Sequence, residues 1–329
     1  MKPVKVAIIG HGHLGKWHAQ KAQALAEAQL VAIVDKFNNV DSFKAKLKES
    51  YPQVKMVVDI SEVIDEIDAA IVVTPTSTHY EICEYLIEKG KHIFCEKPLT
   101  ASLEEARKLE KLLEKSSQII FQVGHSERFH KVWENISSFE EFFSGASQIK
   151  ISRLGPFKSR ATDVDVVSDL MIHDLDILIH FFKCTPKLVD AYGFKSKTNK
   201  WDVVSAQFIL PETGSRALIQ SSRDHVDEVR SIEVVNENGC LQLDLLENKI
   251  LFTTKDDGVK RIDFGKNDHL LSEHKCFYQS IRDGKEIAVN VHDGLKAVKC
   301  VQNVLDYIEA NGEKDNFSDP QFLDLKNQQ

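Results

Sequence analysis

The sequence carries no excess of positive charge: 42 Lys and Arg against 50 Asp and Glu leave a formal net charge of −8. That counts against a nucleic-acid binder, which needs a basic face to displace counterions. Long apolar runs are missing too, and no stretch approaches the ~20 residues of a membrane span. The basic start Met-Lys-Pro-Val-Lys is followed only by Val6–Ile9, too short for the apolar core of an export signal. The six cysteines (83, 95, 184, 240, 276 and 300) form no CxxC pair and no zinc spacing. They read as reduced thiols, mostly small core residues, of a cytoplasmic chain. Internal repeats and low-complexity linkers are also absent. What is present, 42% hydrophobic and 28% charged residues over 329 positions, is ordinary globular make-up with room for two domains.

Up to about residue 122, short apolar runs alternate with helical patterns. Val4–Ile9, Leu30–Val34, Lys55–Val58, Ala69–Val73, His92–Cys95 and Ile119–Val123 read as strands buried on both faces of a parallel sheet. Between them, one helix aligns Leu14, Trp17, Ala22 and Leu25. A second starts near Thr78 with Glu81 three residues on, and a third at Ser102 with Glu105 three on, both in capping-box spacing. This alternation predicts a doubly wound, Rossmann-type domain over 1–122.

The remainder, 123–329, predicts an α+β domain with a large, open, mainly antiparallel sheet. A helix over about 168–182 is followed by period-two strands: Val204, Ala206, Phe208 and Leu210, then Ile232 and Val234. Asn238-Gly239 signals a type I′ hairpin leading into Leu241, Leu243 and Leu245. Helices over 268–282, ended by Asp283-Gly284, and 293–310 close the chain. Gly312–Gln329 reads as loosely structured.

The first strand runs into Gly10-His11-Gly12-His13-Leu14-Gly15, which opens a helix. The first glycine permits a tight turn, the second lets a pyrophosphate approach the backbone, and the third lets helix pack on strand. His11 and His13 read as loop surface, contributing backbone. Asp35 follows Gly15 by 20 residues at the end of "LVAIVD". A carboxylate there accepts both ribose hydroxyls and repels a 2′-phosphate; only Lys36 follows it, so NAD is favoured over NADP. "VVSDLMIHDLDIL" (166–178) sets Asp169, His173 and Asp176 on one face of an otherwise apolar helix. That points to a polar site there; Asp174 reads as solvated.

"VVTPTSTHYE" (72–81) and "CEKPLT" (95–100) follow the fourth and fifth strands. With the glycine loop upstream, they resemble the Gfo/Idh/MocA family of NAD(P)-dependent sugar oxidoreductases over nearly the whole chain. The resemblance implies a cofactor site built from Gly10, Gly12, His13, Leu14, Gly15, Asp35, Thr74, Pro75, Thr76, His79, Glu96 and Lys97. It implies that Lys97 stands between nicotinamide and the reacting hydroxyl, with Pro98 fixing the backbone through a cis bond. A cation there lowers the pKa of a substrate alcohol. Asp169 and His173 match the family's second-domain signature, which makes His173 the acid/base and has Asp169 either bond the same hydroxyl or bias the imidazole. Asp176 either fixes the imidazole or is a surface carboxylate. His79 either touches the nicotinamide ribose or serves as a cap or surface residue. The other histidines, His18 and His274 among them, show no partner pattern. No spacing supports a metal, and hydride chemistry needs none.

"VGHSERFHKVW" (123–133), the run 153–178 and "ALIQSSRDHVDEVRSIEV" (217–234) resemble the branch that oxidises the 3-hydroxyl of UDP-N-acetylglucosamine ahead of transamination for lipid A, with departures at Ser126 and His130. Arg128, Arg153 and Arg160, with Arg223 similar, would then meet the diphosphate, or else be surface arginines. Dehydrogenation of a free polyol or aldose is the alternative activity, and a non-catalytic dinucleotide-binding regulator a further one. The resemblance also implies a homo-oligomer formed through the polar face of the second sheet.

Overall fold

The computed structural model describes residues 2–158, 164–255 and 258–311. Contacts divide the chain into two compact units, 1–137 with 264–299, and 138–263 with the residues from 300 onward. The sequence drew its boundary at 122/123. By contacts, 123–137 and 264–299 cluster with the first sheet.

The helices are α1 (His13–Ala24), α2 (Asp41–Ser50), α3 (His79–Glu88), α4 (Leu103–Glu114), α5 (Ile172–Phe182), α6 (His269–Asp283) and α7 (Val291–Asn311). The first unit contains β1 (Val4–Ile9), β2 (Ala28–Val34), β3 (Lys55–Val57), β4 (Ala69–Val72), β5 (His92–Glu96) and β6 (Phe121–Gly124). All pair in parallel, in the order β3-β2-β1-β4-β5-β6. Both faces are covered, which is why the strands read as continuous apolar runs. Ala7, Ile9, Ala70, Val72, Ile93 and Cys95 pack with Cys83 and Leu86 of α3 and Ala106 and Leu109 of α4. Val6, Ile8, Ile33, Ile71 and Phe94 pack with Ala19 and Ala22 of α1, Leu47 of α2, and Phe277 and Tyr278 of α6.

Two local expectations fail here. The buried stripe of α1 is Gly15, His18, Ala19 and Ala22, while Leu14 and Trp17 are 45% and 47% exposed. Close helix–strand approach at Gly15 demands small residues on the covered face, and that turns the large ones outward. The Ser102–Glu105 capping box forms, but the one expected at Thr78 does not. A short 3₁₀ turn over Thr76–Thr78 runs directly into α3, so Thr78 has no N-cap geometry.

The second unit holds β7 (Gln148–Leu154), β8 (Lys187–Phe194), β9 (Val203–Leu210), β10 (Ser215–Ser222), β11 (Val229–Asn236), β12 (Gly239–Asp244), β13 (Lys249–Thr254) and β14 (Lys260–Asp263). Their order is β14-β13-β12-β11-β7-β10-β9-β8, antiparallel except for β7 with β10. Val204, Ala206 and Phe208 alternate with half-buried or exposed Ser205, Gln207 and Ile209, so one face is apolar and the other open and largely polar. The β11–β12 hairpin exists, but its turn is one residue early. Asn236 pairs with Gly239, leaving Glu237-Asn238 as the loop. Asn236 Oδ1 accepts the Asn238 N–H, and neither loop residue has positive φ, so the turn is not type I′. Gly239 is instead the first strand residue, at φ +141 with its Cβ position 2.1 Å from Thr253 O. Helix α6 ends at Gly284, φ +65, as the sequence predicts. Gly312–Gln329 lies outside the described residues.

Candidate active site

In the first unit the carboxyl ends of β1, β2, β4 and β5 carry the segments singled out above. The strand order reverses at β1/β4, the crevice where such sheets bind ligands. The three glycines of the β1–α1 loop have separate jobs. Gly10 adopts φ +90, and a Cβ there would lie 2.7 Å from Val73 O. At Gly15 it would lie 2.1 Å from Gly10 O. Around Gly12 no atom lies within 4 Å of the Cβ position, so that stretch of backbone faces open space. Gly12 is the N-cap of α1, gives no side-chain cap, and no acidic residue follows in the first turn. The N–H groups at this helix start are left for an anion. His13 and Leu14 are exposed beside them.

Asp35 ends β2. Its Oδ2 accepts the His11 N–H at 2.7 Å and its Oδ1 the Phe37 N–H at 2.9 Å. Each carboxylate oxygen has a further lone pair, matching the two hydroxyls of a ribose. A diphosphate cradle and a diol acceptor at the ends of two adjacent strands fit a dinucleotide. His11 is not loop surface. It is 4% exposed, its ring edge-on to Phe43 and Tyr51, and burial holds its pKa below the ordinary histidine value.

Beyond β4, the Thr78 hydroxyl lies 2.7 Å from Thr74 Oγ1 and 2.8 Å from Pro75 O, fixing the turn that holds Thr76. His79 is 1% exposed, with its nitrogens 2.9 Å from Pro98 O and 3.0 Å from Thr74 O. It is neither surface nor cap but a staple between the loops after β4 and β5. Burial outweighs the two carbonyls and lowers its pKa.

β5 ends in Glu96, followed by Lys97, half-buried, and a cis Lys97–Pro98 bond. Glu96 Oε2 accepts the Lys97 N–H at 3.1 Å, and Oε1 lies 3.0 Å from His18 Nε2. A Cβ at Gly124 would lie 2.8 Å from Glu96 Oε1, so the adjacent strand leaves room for this carboxylate. Burial raises the Glu96 pKa, but the His18 hydrogen bond, together with Lys97, outweighs it, and the net direction is down. Sequence reasoning missed His18 and His274. A helical wheel drawn through Gly15, Ala19 and Ala22 would have flagged His18; the Leu14–Trp17 stripe hid it.

Arg128, also in the first unit, donates from Nη1 to Ala288 O (3.2 Å) and Asp293 Oδ2 (3.3 Å).

In the second unit a π-helical turn, Val167–Met171, leads into α5, with the Ile172 N–H reaching Val167 O. Asp169 lies in that turn and His173 in the first turn of α5, both half-buried. π-turns of this kind are frequent at functional sites. Asp174 and Asp176 are each 1% exposed, so neither is a surface carboxylate. Asp174 is not solvated because Arg153, on the apolar face of β7 beside Ile149 and Ile151, grips it. Arg153 Nε donates to Oδ1 and Oδ2 at 3.0 and 3.1 Å, and Nη2 to Oδ1 at 2.8 Å. Arg223 Nη2 donates to Val164 O at 2.8 Å, and its Nε lies 3.7 Å from Asp202 Oδ1. Arg160 lies outside the described residues.

Among the described residues no cluster of three or more His, Cys, Asp or Glu could hold a metal ion, and no helix is long and apolar enough to cross a membrane.

Residues 4–125 match the Gfo/Idh/MocA model, an oxidoreductase family with an NAD-binding Rossmann fold. Over 318 residues the chain is 28% identical to the UDP-N-acetylglucosamine 3-dehydrogenase of Acidithiobacillus ferrooxidans, covering 93% of this chain and 98% of that protein. A solved structure of that enzyme superposes with a TM-score of 0.85 over 94% of this chain and 99% of its own. The inositol 2-dehydrogenase of Rhizobium meliloti is 27% identical, covering 90% and 94%. The scyllo-inositol dehydrogenase of Lactobacillus casei, solved with NAD(H) and scyllo-inositol, shares the fold at TM-score 0.80 and 22% identity, over 94% and 98%.

Proposed function

We propose that this chain, whose residues 4–125 match the Gfo/Idh/MocA oxidoreductase model, is an NAD-dependent dehydrogenase of that family taking the 3-hydroxyl of UDP-N-acetylglucosamine to a ketone. The observation that carries the cofactor part is the pairing of the Gly10–Gly12–Gly15 cradle with the Asp35 carboxylate. Asp35 favours NAD, because a 2′-phosphate would bring a second anion against a carboxylate. Similarity to the A. ferrooxidans enzyme over nearly the full length of both chains supports the substrate.

A nicotinamide coenzyme held by the Gly10–Gly15 loop and Asp35 would supply the acceptor for hydride from the carbinol carbon. The chain's own groups manage the proton and the oxygen. The Lys97 ammonium polarises the substrate oxygen, lowering the cost of the developing alkoxide. His173 takes the hydroxyl proton through its imidazole, and Asp169 hydrogen-bonds the same hydroxyl. The proton leaves to His173 as the C–H electron pair departs, so oxidation of the alcohol balances reduction of the coenzyme. We assign the protein to the cytoplasm and to a homo-oligomer closed by the outer face of the second sheet.

A second reading, oxidation of a free polyol, is favoured by one feature. Arg153 is committed to Asp174 and Arg128 to Asp293, which weakens a diphosphate clamp built from them. One screen separates the readings: UDP-N-acetylglucosamine, inositols and free aldoses with NAD, followed by NADH absorbance. Turnover of the UDP-sugar alone supports the first reading, and turnover of inositol alone replaces it. In the active pairing, Lys97→Ala and His173→Ala should each lower kcat by about a hundredfold or more while NAD affinity stays within about threefold. Equal loss of NAD binding in both would refute the assigned roles.

A further inference from the structure

Behind Lys97 lies a buried polar chain drawn from three elements. Glu96 of β5 meets His18 of α1 at 3.0 Å; His18 Nδ1 meets His274 Nε2 of α6 at 2.8 Å; His274 Nδ1 meets the Tyr278 hydroxyl at 3.1 Å. His18, His274 and Tyr278 are fully buried. Phe94 walls the chain, 5.4 Å from the His18 ring and 5.6 Å from the His274 ring. Nothing in the cofactor cradle or in the chemistry assigned above uses the two histidines.

The direction of every bond follows from the two ends. The hydrogen bond that the structure gives the buried Tyr278 hydroxyl is to His274 Nδ1, so the phenol donates there. Burial keeps the phenol protonated and holds the His274 pKa well below the ordinary value, so His274 carries one proton. That proton must sit on Nε2 and point at His18 Nδ1. His18 then donates from Nε2 to Glu96, whose other oxygen accepts the Lys97 N–H. Every donor meets an acceptor, and the chain carries a single charge, on Glu96. An unsatisfied member would be costly in such a dry site.

We propose that His18, His274 and Tyr278 form a proton-ordered relay that locks Glu96 as an anion in one rotamer, making His18 and His274 positioning residues for Lys97. The proposal rests on the assigned role of Lys97 but makes a separate claim about the protein itself. Rotation of Glu96 would release the Lys97 N–H and let the segment after β5 drift. A displacement of about 1 Å at a reacting group costs on the order of a hundredfold in rate.

The test uses the full-length chain labelled with ¹⁵N-histidine, the two signals assigned by substitution. Expected is His18 protonated at Nε2 and bare at Nδ1, with His274 in the same tautomer. A doubly protonated His18, or either ring in the opposite tautomer, overturns the proposal. His18→Phe keeps the ring and removes both bonds. It should lower kcat by roughly a hundredfold and leave NAD affinity within about threefold. His18→Gln, whose amide can still donate to Glu96, should recover to within about tenfold of the parent. Parallel loss of kcat and NAD affinity, with no recovery in His18→Gln, makes His18 plain scaffold and refutes the claim. Should His18→Phe fail to fold, Tyr278→Phe deletes one hydroxyl at the far end. It should free the His274 tautomer, seen as a shift of its nitrogen signals, and unchanged signals refute the ordering. If no sugar or polyol is oxidised by the parent protein, the dehydrogenase reading fails while the tautomer measurement still decides the relay.

Discussion

Gly12 and Gly15 are three residues apart, yet alanine at each should fail in a different way. At Gly15 the added Cβ would stand 2.1 Å from the Gly10 carbonyl oxygen. An ordinary carbon–oxygen contact is about 3.3 Å, so the loop or α1 must move by roughly 1 Å. Overpacking costs about 1–3 kcal/mol, and a clash with a backbone carbonyl, which no side-chain rotation relieves, takes the upper part of that range, about 2–3 kcal/mol. The gain in helix propensity from glycine to alanine returns about 1 kcal/mol. The net, on the order of 1–2 kcal/mol, corresponds to a fall in melting temperature of about 2–8 °C for a unit of this size. Coenzyme affinity should fall as well, because the donors of the first turn move with the helix. At Gly12 the Cβ meets no atom within 4 Å, and φ −71 suits alanine, so the melting temperature should shift by no more than about 2 °C. The same Cβ projects into the space a pyrophosphate needs, so NADH affinity should drop at least about tenfold, or 1.4 kcal/mol. Thermal melts without coenzyme and NADH fluorescence titrations read the two quantities separately. Undiminished NADH binding in Gly12→Ala would refute the placement of the cradle. An unchanged melting temperature in Gly15→Ala would refute the packing argument.

Asp35→Ser should weaken NAD binding by about 10–100-fold, the worth of hydrogen bonds to a charged acceptor, and narrow the preference over NADP; titration with both coenzymes checks it, and unaltered selectivity counts against Asp35 as the ribose acceptor. Asp174→Ala strands the buried Arg153 guanidinium and should destabilise the second unit by about 3–5 kcal/mol, whereas the double change Arg153→Met with Asp174→Leu should cost far less. Urea unfolding of the parent and the two variants measures both costs, and a single-variant cost under about 1 kcal/mol would show the pair to be solvated.

Most of the first unit was legible because a parallel sheet covered on both faces writes itself as apolar runs, and each run landed within about two residues of its strand. The glycine loop and Asp35 were legible because their spacing is a backbone requirement rather than a side-chain preference. What failed was orientation. The sequence pattern points the α1 stripe at Leu14 and Trp17 because large apolar residues ordinarily mark the buried face, whereas close approach at Gly15 selects small residues. Asp174 reads as solvated in the sequence because its partner, Arg153, lies 21 positions away on a strand, and no local pattern announces a long-range ion pair. The same holds for His18 and His274, separated by 256 positions and joined only by the fold. The second sheet was legible in kind but not in order, since strands that half face solvent carry only a weak period-two signal.

The discontinuity of the first unit bears on how the chain is made. All six strands of its sheet have been synthesised by Gly124, but Phe277 and Tyr278, which seal one side of that sheet, emerge only after residues 138–263 of the second unit. Until then Val6, Ile8 and Phe94 border an unfinished layer, so the nascent N-terminal half is a natural client for chaperones. A gene truncated after residue 137 would lack that seal, and a circular permutant opened near residue 263 would deliver it early.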